Sequence, residues 1–493
     1  MLIRAEYITH AEYYQTSETE GITKEKTKEK TKEKTKEKTK EKTKEITKGI
    51  TKEITKGITK GSWRFRMNNE YAREVLSLID KSPTAYHVVK NAGDMLDSAG
   101  FTGLREAGIW KLEAGGRYYV TRNDSSLIAF SIPKYDYKGF RIMAAHSDSP
   151  CLKLKEDHEM RSEGYVRLNV EKYGGMLLAP WFDRPLSVAG RILVREGNVI
   201  RPVLVDLHKD AAVIPSLAIH MNREANSGYT YSVQKDMLPI IGTSDAGKGI
   251  MSLIAEKAGV EEADIIGNDL YLYLSEKGVI WGCNDEFIGS SRLDDQECVW
   301  CSLKGFTEAV STNHVKMLCI FDNEEVGSRT RQGADSDFLA NLIDRINDNL
   351  GRSREEYYTA YANSFMISAD NAHALHPSHR DKYDPLKTVK MNKGIVLKFS
   401  ARQSYTTDGV SAAFVKKICE DEQIPYQIFV NHSDEPGGST LGNISDSHVS
   451  IRTADIGLAQ LAMHSSFEVA GVEDLEWMRK FAKAFYEDST EEL

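Results

Sequence analysis

Two side chains with metal-binding and proton-carrying chemistry follow an apolar run early in the chain. The run FRIMAA leads into His146 and Asp148, an imidazole and a carboxylate two residues apart. On an extended strand this spacing places both side chains on one face. A neutral imidazole binds a metal through one nitrogen when a partner such as a carboxylate holds the other. The pair predicts a metal site, although a solvated polar loop explains HSD better when the motif is taken alone.

Two adjacent carboxylates, Glu324 and Glu325, follow a second apolar run, VKMLCIFD. Neighbouring ionised carboxylates repel each other, and a divalent cation removes that cost for the one that binds it. The other can stay beside metal-bound water and act as a general base. We therefore predict Glu325 as a metal ligand and Glu324 as the base. The plain alternative is a charged loop after a strand.

A third apolar run, NSFMISAD, ends in Asp370, while Asp294 stands in SSRLDD and His464 in LAMHSSFE. Ligands collect at the carboxyl ends of strands in open α/β sheets, so the three strand ends predict one shared site. Asp294, at the return from the β-rich region, can supply a carboxylate that bridges two cations, and His464 would complete the set. Two histidines and several carboxylates without cysteine form a hard nitrogen and oxygen set. That set suits catalytic Zn²⁺, Mn²⁺ or Co²⁺.

The elements that must position these residues alternate in type. Helix-like stretches cover residues 68–81 and 84–99, and short apolar strand candidates such as SLIAFSI and FRIMAAH follow them. This alternation predicts a mostly parallel sheet with helices on both faces. Between residues 153 and 286, short β-branched runs separated by Gly, Pro and Asn indicate hairpins or a small barrel.

The sequence therefore predicts an α/β protein with a three-layer α/β/α catalytic domain interrupted by a β-rich insert. The predicted regions are an N-terminal low-complexity extension at residues 1–66, the catalytic domain at 67–152 and 287–493, and the inserted domain at 153–286. The extension contains a four-residue repeat of the TKEK type, which is too poor in apolar residues to build a core.

Charge and composition exclude several classes of function. Residues 21–61 hold 15 Lys against 7 Glu, so the rest of this 493-residue chain carries a formal charge of −17 out of a total of −9. An acidic body argues against nucleic-acid binding, which needs clustered Lys and Arg. The sequence has no run of 18 apolar residues, no secretory leader pattern and six scattered cysteines. These features predict a cytoplasmic protein without a membrane span.

Five motifs in chain order, AHSDSP, SSRLDD, DNEEVGS, SADNAHALHP and LAMHSSFE, resemble those of the aspartyl aminopeptidase family of zinc metallopeptidases. The resemblance also covers YGG with WFDRPLSVAGR, then LAIHMNR and KGIVLKFSARQSY, so it spans nearly everything after Met67. It implies that the β-rich insert is a dimerisation domain. It further implies a homo-oligomer in which dimers assemble into a dodecamer.

The resemblance also implies a role for each site residue. One metal ion, most simply zinc, would be held by Asp294, Glu325 and His464, and a second by His146, Asp294 and Asp370. Asp148 would orient His146, and Glu324 would take a proton from a metal-bridging water and return it to the leaving amine. Residues at substrate-contact positions are His220, His373, Lys398 and Tyr405. Of these, His220 would reach a neighbouring subunit's site, and Lys398 would favour an acidic first side chain.

The predicted function is removal of one residue from the free N-terminus of a peptide. The segment NHSDEPGGSTLGNISDS departs from the form typical of acidic specificity, so the preferred residue stays open. Two alternatives also stay open. The same metal chemistry serves an amidase or a carboxypeptidase that recognises a terminal carboxylate, and the same fold could serve as a non-catalytic assembly protein.

Overall fold

The largest sheet has nine strands and contains all three apolar runs that precede predicted site residues. The computed structural model describes residues 69–245, 247–310, 312–435 and 437–490, so the predicted extension at 1–66 lies outside the described residues. Across the sheet the strands are Thr102–Leu104, Arg117–Arg122, Ser126–Ser131, His314–Phe321, Gly139–His146, Phe365–Ala369, Arg452–Gly457, Ile395–Phe399 and Tyr426–Val430.

Four neighbouring strands at the centre of this sheet run parallel. They are His314–Phe321, Gly139–His146, Phe365–Ala369 and Arg452–Gly457. Phe321 pairs with His146, and Ala144 pairs with Ser368. The loops after three parallel strands therefore begin at the same edge, which explains how residues far apart in sequence reach one place.

Helices cover both faces of the sheet, as the sequence predicts. Residues 69–81 are helical, and the other helices around this sheet are Ala85–Ser98, Leu293–Glu308, Phe338–Asn349, Arg354–Ala362, Gly409–Asp421, Leu441–Asp446 and Val472–Glu487. Alternate side chains of the strand Gly139–His146 enter separate apolar clusters: Met143 packs in one with Trp300, and Ile142 packs in the other with Phe338. The predicted three-layer α/β/α fold is confirmed.

A seven-stranded antiparallel sheet occupies the region of the predicted insert. Its strands, in order, are Ile265–Leu274, Cys151–Ser162, Tyr165–Tyr173, Ile240–Thr243, Ala212–Val213, Pro185–Glu196 and Val199–Asp206. Ile265–Leu274 also pairs with Pro185–Glu196, so six of the strands close into a ring. The short helices Val233–Asp236 and Ile250–Ala258 belong to this region. Because the described residues form one compact unit, the domain bounds at 153 and 286 stay a prediction.

A five-stranded sheet joins the segment before helix Leu293–Glu308 to residues 459–471. Its strands are Val279–Trp281, Phe287–Ser290, Glu468–Gly471, Ala459–Leu461 and Ala372–His373. Ser290 pairs with Glu468, and His464 lies in the connection just before Glu468. This pairing brings the loop that contains Asp294 close to His464. None of the described helices is long and apolar enough to span a membrane.

Candidate metal centre

The structure brings together all five side chains that the sequence predicts as metal ligands. Two groups, each with ligand atoms within 4.8 Å of one another, consist of His146, Asp294, Asp295 and Asp370, and of Asp294, Glu325 and His464. A third group contains His146, Glu324 and Glu325. Because Asp294 belongs to two groups and Glu324 lies beside both, the cluster has the composition of a two-centre site with an adjacent carboxylate.

The two oxygens of Asp294 face different histidines. Oδ1 lies 3.4 Å from His146 Nε2, and Oδ2 lies 3.6 Å from His464 Nε2. His464 Nε2 is also 3.3 Å from Glu325 Oε2. Ligand atoms bound to one tetrahedral zinc at about 2.0–2.1 Å are separated by about 3.3–3.4 Å. The spacings are therefore long for hydrogen bonds and suited to shared ions.

Several buried oxygens of the cluster fit the same interpretation. Among the described residues, Asp294 Oδ1, Asp295 Oδ1 and Glu325 Oε1 have no hydrogen-bond partner. Leaving a buried charged atom unpaired is costly, and a cation removes that cost. Burial raises the pKa of Glu325 well above its usual range, and Asp294 adds to the rise. Burial raises the pKa of Glu324 to about 8. The carboxylates are crowded in a way that bound divalent ions would relieve.

Asp294 is held in an irregular turn at the start of helix Leu293–Glu308. The preceding Arg292 has φ 59°, Asp294 itself has non-helical φ −78° and ψ 107°, and the Asp294–Asp295 peptide is cis. Ser149 Oγ donates a hydrogen bond to the Asp294 carbonyl at 2.7 Å. The turn points the Asp294 side chain at the histidines instead of along a helix face.

Glu468 is a buried carboxylate that binds the backbone of two predicted ligands. Its Oε2 accepts a hydrogen bond from the Asp294 N–H at 3.0 Å, and its Oε1 accepts one from the His464 N–H at 2.7 Å. His464 has φ 65°, a left-handed conformation that is rare for a residue with a side chain. Glu468 thus ties two irregular loops together beneath the cluster.

Asp148 is a second buried carboxylate that accepts hydrogen bonds from two backbone N–H groups of the cluster. Its Oδ1 accepts a hydrogen bond from the Glu324 N–H at 3.1 Å, and its Oδ2 accepts one from the Glu325 N–H at 3.2 Å. Its backbone carbonyl is 3.1 Å from His146 Nδ1, and its Oδ1 is 3.4 Å from the same nitrogen. Asp148 therefore contacts both His146 and the backbone of the loop that contains the two glutamates.

Lys398 and Tyr405, predicted to contact substrate, are both buried beside Asp370. The Lys398 ammonium donates hydrogen bonds to the carbonyls of Asp370 at 2.8 Å and Asn371 at 3.2 Å. It is also 3.7 Å from Asp370 Oδ1 and 5.2 Å from the centre of the Tyr405 ring. Although burial lowers it, Asp370 keeps the pKa of Lys398 above its usual range. These contacts position the Asp370 loop, and the predicted contact with an acidic substrate stays a prediction.

His373 and His220, the other predicted substrate contacts, are exposed. His373 lies in the two-residue strand Ala372–His373, three residues after Asp370 and 6.2 Å from the Phe429 ring. His220 lies on the loop after residue 214, in the region of the predicted insert. Within the described part of this chain, no hydrogen bond or ion pair joins His220 to the cluster.

The sequence predicts no role for Asp295, Glu468 or Tyr173, although all three stand in the family-like motifs. Asp295 ends SSRLDD, Glu468 ends LAMHSSFE, and Tyr173 begins YGG. Their presence in these motifs was the only sequence signal that pointed to them. Tyr173 bonds Asp148 at a separation of 25 residues, and Asp295 and Glu468 bond the N–H groups of His146 and Asp294 at separations of 149 and 174 residues, which no local pattern reveals.

His146, the two glutamates and Asp370 follow parallel strands of the large sheet, and Asp294 and His464 join them from connections of the five-stranded sheet. Imidazoles and carboxylates gathered in this way are the arrangement of a metal-dependent hydrolase. Residues 78–486 match the family described as Aminopeptidase I zinc metalloprotease (M18), and the chain belongs to that family. It is accordingly a metal-dependent aminopeptidase. The probable M18 family aminopeptidase 2 of Clostridium novyi (strain NT) is 45% identical over 426 residues, which are 85% of this chain and 98% of that protein.

Two solved structures resemble this one closely. One is a chain in the cryo-EM structure of the Ape4 and Nbr1 complex, with a TM-score of 0.83 and 35% identity. The match covers 86% of this chain and 86% of that chain. The structure of the S. cerevisiae mApe1 dodecamer has a TM-score of 0.74 at 30% identity, covering 84% of this chain and 96% of that one.

Proposed function

We propose that this aminopeptidase uses two divalent metal ions, with zinc preferred over Mn²⁺ or Co²⁺, to hydrolyse the first peptide bond of unblocked peptides. One ion would be held by Asp294, Glu325 and His464, and the other by His146, Asp294 and Asp370. The observation that carries the proposal is the Asp294 carboxylate, whose two oxygens face the two histidines. Bound divalent ions supply positive charge that polarises the peptide carbonyl and lowers the pKa of water.

Glu324 is the proton carrier of the proposal. It lies beside His146 and Glu325, and Asp148 fixes its backbone through the Glu324 N–H. Glu324 accepts a proton from the attacking water as the carbon–oxygen bond forms. It then gives the proton to the amine nitrogen as the carbon–nitrogen bond breaks. Because the five proposed ligands hold the ions, the carboxylate of Glu324 stays free for this proton transfer.

One panel of substrates tests the function. Peptides beginning with Asp, Glu, Ala, Leu or Lys are assayed with a free or acetylated N-terminus and a free or amidated C-terminus, with and without 1,10-phenanthroline. We expect cleavage that requires the free N-terminus, ignores C-terminal amidation and is lost with the chelator. Trimming from the C-terminus would identify a carboxypeptidase. Inactivity on every peptide with zinc, manganese or cobalt present would identify an assembly protein.

The same panel decides the preference for an acidic first residue. That preference rests on Lys398, whose ammonium already binds two carbonyls. A kcat/KM for Asp and Glu peptides at least tenfold above that for Ala and Leu peptides supports acidic specificity. Equal values contradict it. We propose a cytoplasmic setting for the enzyme, which cell fractionation tests.

We further propose that the chain assembles into a homo-oligomer through its β-rich region, as dimers that form a dodecamer, with His220 entering a neighbouring subunit's site. Support comes from the dodecameric relative and from three exposed apolar side chains around His220: Leu217, Ile219 and Met221 are 61%, 48% and 76% exposed. Light scattering of the purified protein is expected to give a multimeric mass. A monomer that is fully active would contradict both parts of the proposal.

A further inference from the structure

The segment Tyr173–Gly175 leads out of a strand of the seven-stranded sheet directly onto the candidate metal centre. The Tyr173 hydroxyl donates a hydrogen bond to Asp148 Oδ2 at 2.6 Å and accepts one from Asn323 Nδ2 at 2.9 Å. Asp148 in turn accepts the N–H groups of Glu324 and Glu325. The Tyr173 hydroxyl therefore positions the Asp148 carboxylate, which binds the backbone N–H groups of both glutamates.

Asn323 is the second anchor of the same loop. It has φ 63° and precedes the 3₁₀ turn Glu324–Val326. Its side-chain oxygen accepts hydrogen bonds from Thr330 Oγ1 at 2.8 Å and Gln332 Nε2 at 2.9 Å. The Tyr173 hydroxyl completes this set by accepting from the Asn323 amide. The turn is therefore tied at its first residue as well as through Asp148.

The two glycines after Tyr173 contact Glu325 and His464, two of the proposed metal ligands. Gly174 has φ +74°, and a Cβ placed on it would lie 3.1 Å from Glu325 Cβ. The Gly175 carbonyl is 3.1 Å from His464 Nδ1 and accepts its N–H, which leaves Nε2 toward Asp294 and Glu325. Orientation of a metal-binding imidazole through its second nitrogen is a common requirement of such sites.

We propose that Tyr173, Gly174 and Gly175 form a clamp through which the β-rich region positions the metal centre of its own subunit, with Tyr173 as a positioning residue. The inference deepens the proposed function and rests on it. It assigns the β-rich region a part in catalysis within one chain, separate from any part in assembly. It also accounts for a glycine at position 174, where an added Cβ would crowd Glu325.

Tyr173→Phe tests the clamp by removing one hydroxyl and little volume. Removing the hydroxyl shared by Asp148 and Asn323 is expected to lower kcat by about 10-fold, with KM within about twofold. Loss of a direct partner of a metal ligand costs about 10–100-fold, and Tyr173 acts on the ligands one contact further out, through Asp148. Metal binding gives a readout without activity. Titration of the metal-free protein with Co²⁺, followed by visible absorption, is expected to give a Kd raised by about 10-fold or more.

Tyr271→Phe is the matched control for the hydroxyl. Its ring packs edge-on against Tyr173 with centroids 5.8 Å apart, and within the described residues its hydroxyl makes no hydrogen bond to the cluster. We expect Tyr271→Phe to keep the wild-type kcat and Co²⁺ affinity. Asp148→Asn in a double-mutant cycle with Tyr173→Phe is expected to show strong non-additivity, since both act through one contact.

A comparison of the single variants Gly174→Ala and Gly164→Ala separates the steric contact with Glu325 from backbone strain. Both glycines belong to the same part of the chain and have positive φ, +74° and +81°, but a Cβ on Gly164 meets nothing within 4 Å. Only Gly174→Ala is expected to weaken Co²⁺ binding.

The clamp is overturned if Tyr173→Phe keeps wild-type kcat and Co²⁺ affinity, even if its Tm falls, because that pattern describes packing alone. An equal loss of Co²⁺ affinity in Gly174→Ala and Gly164→Ala also overturns the clamp. Failure of the proposed function is distinguishable, since it appears as absent peptidase activity in the wild type. The Co²⁺ titrations then still decide whether Tyr173 positions the site.

Discussion

Replacing Glu324 by Gln is expected to lower kcat by about 10²–10⁴-fold, which is the range of a general base. The amide cannot take a proton from water, yet it keeps the shape and the backbone hydrogen bond to Asp148. Because the five proposed ligands are untouched, metal content by elemental analysis should stay at the wild-type value. KM should change little, since substrate binding does not need the proton carrier.

Two further variants make the Glu324 result specific. Glu355→Gln changes an exposed glutamate on helix Arg354–Ala362 and is expected to have wild-type kinetics. Glu325→Gln alters the adjacent carboxylate, 3.3 Å from His464, and should lose metal as well as activity. If Glu324→Gln turned over substrate at the wild-type rate, the base would be another group. If it lost metal, Glu324 would be a ligand.

Part of the candidate site was predictable because His146, the two glutamates and Asp370 follow apolar strands. Residues such as Met143 and Leu318 are fully buried within parallel strands, and the polar residues that follow them begin the loops at one edge. Apolar runs of this kind are readable from sequence, and a parallel sheet places the residues that follow them at one edge. The strand order that makes the strands of His146 and Asp370 neighbours comes from the structure. The β-rich character of residues 151–274 was readable for a similar reason, through short β-branched runs between turn residues.

The contacts that make these residues a site were not predictable. The ladder between Ser290 and Glu468 sets the distance from Asp294 to His464, and it joins strands nearly 180 residues apart. The left-handed conformations of Arg292, Asn323 and His464 have no local sequence signal, since non-glycine residues adopt them when tertiary contacts hold them there. Lys398 illustrates the limit well. The family resemblance implied a substrate contact for Lys398, and the folded chain gives its ammonium two carbonyl partners.

If two ions bind as proposed, replacing Asp294 by Ala is expected to weaken both proposed metal sites at once, because each oxygen of its carboxylate faces a different histidine. Loss of a supporting partner alone costs about 10–100-fold in metal affinity or activity. A ligand shared by two ions should cost at least that factor at each, so activity should fall by about 10²–10⁴-fold or more. High zinc concentrations should restore little of it, since the geometry and not only the occupancy has changed.

Thermal unfolding separates this effect on metal from damage to the fold. Ligand binding stabilises a protein according to the ratio of ligand concentration to Kd, so each tenfold rise in Kd removes about 1.4 kcal/mol of metal-induced stabilisation. For two sites weakened about 10–100-fold each, the metal-induced gain should shrink by about 3–5 kcal/mol. The metal-free Tm should change far less, because removing Asp294 also removes one of several crowded carboxylates. As a control, Asp264→Asn, which changes an exposed aspartate, is expected to keep the full metal-induced rise in Tm. An equal rise in Asp294→Ala would show that Asp294 binds no ion.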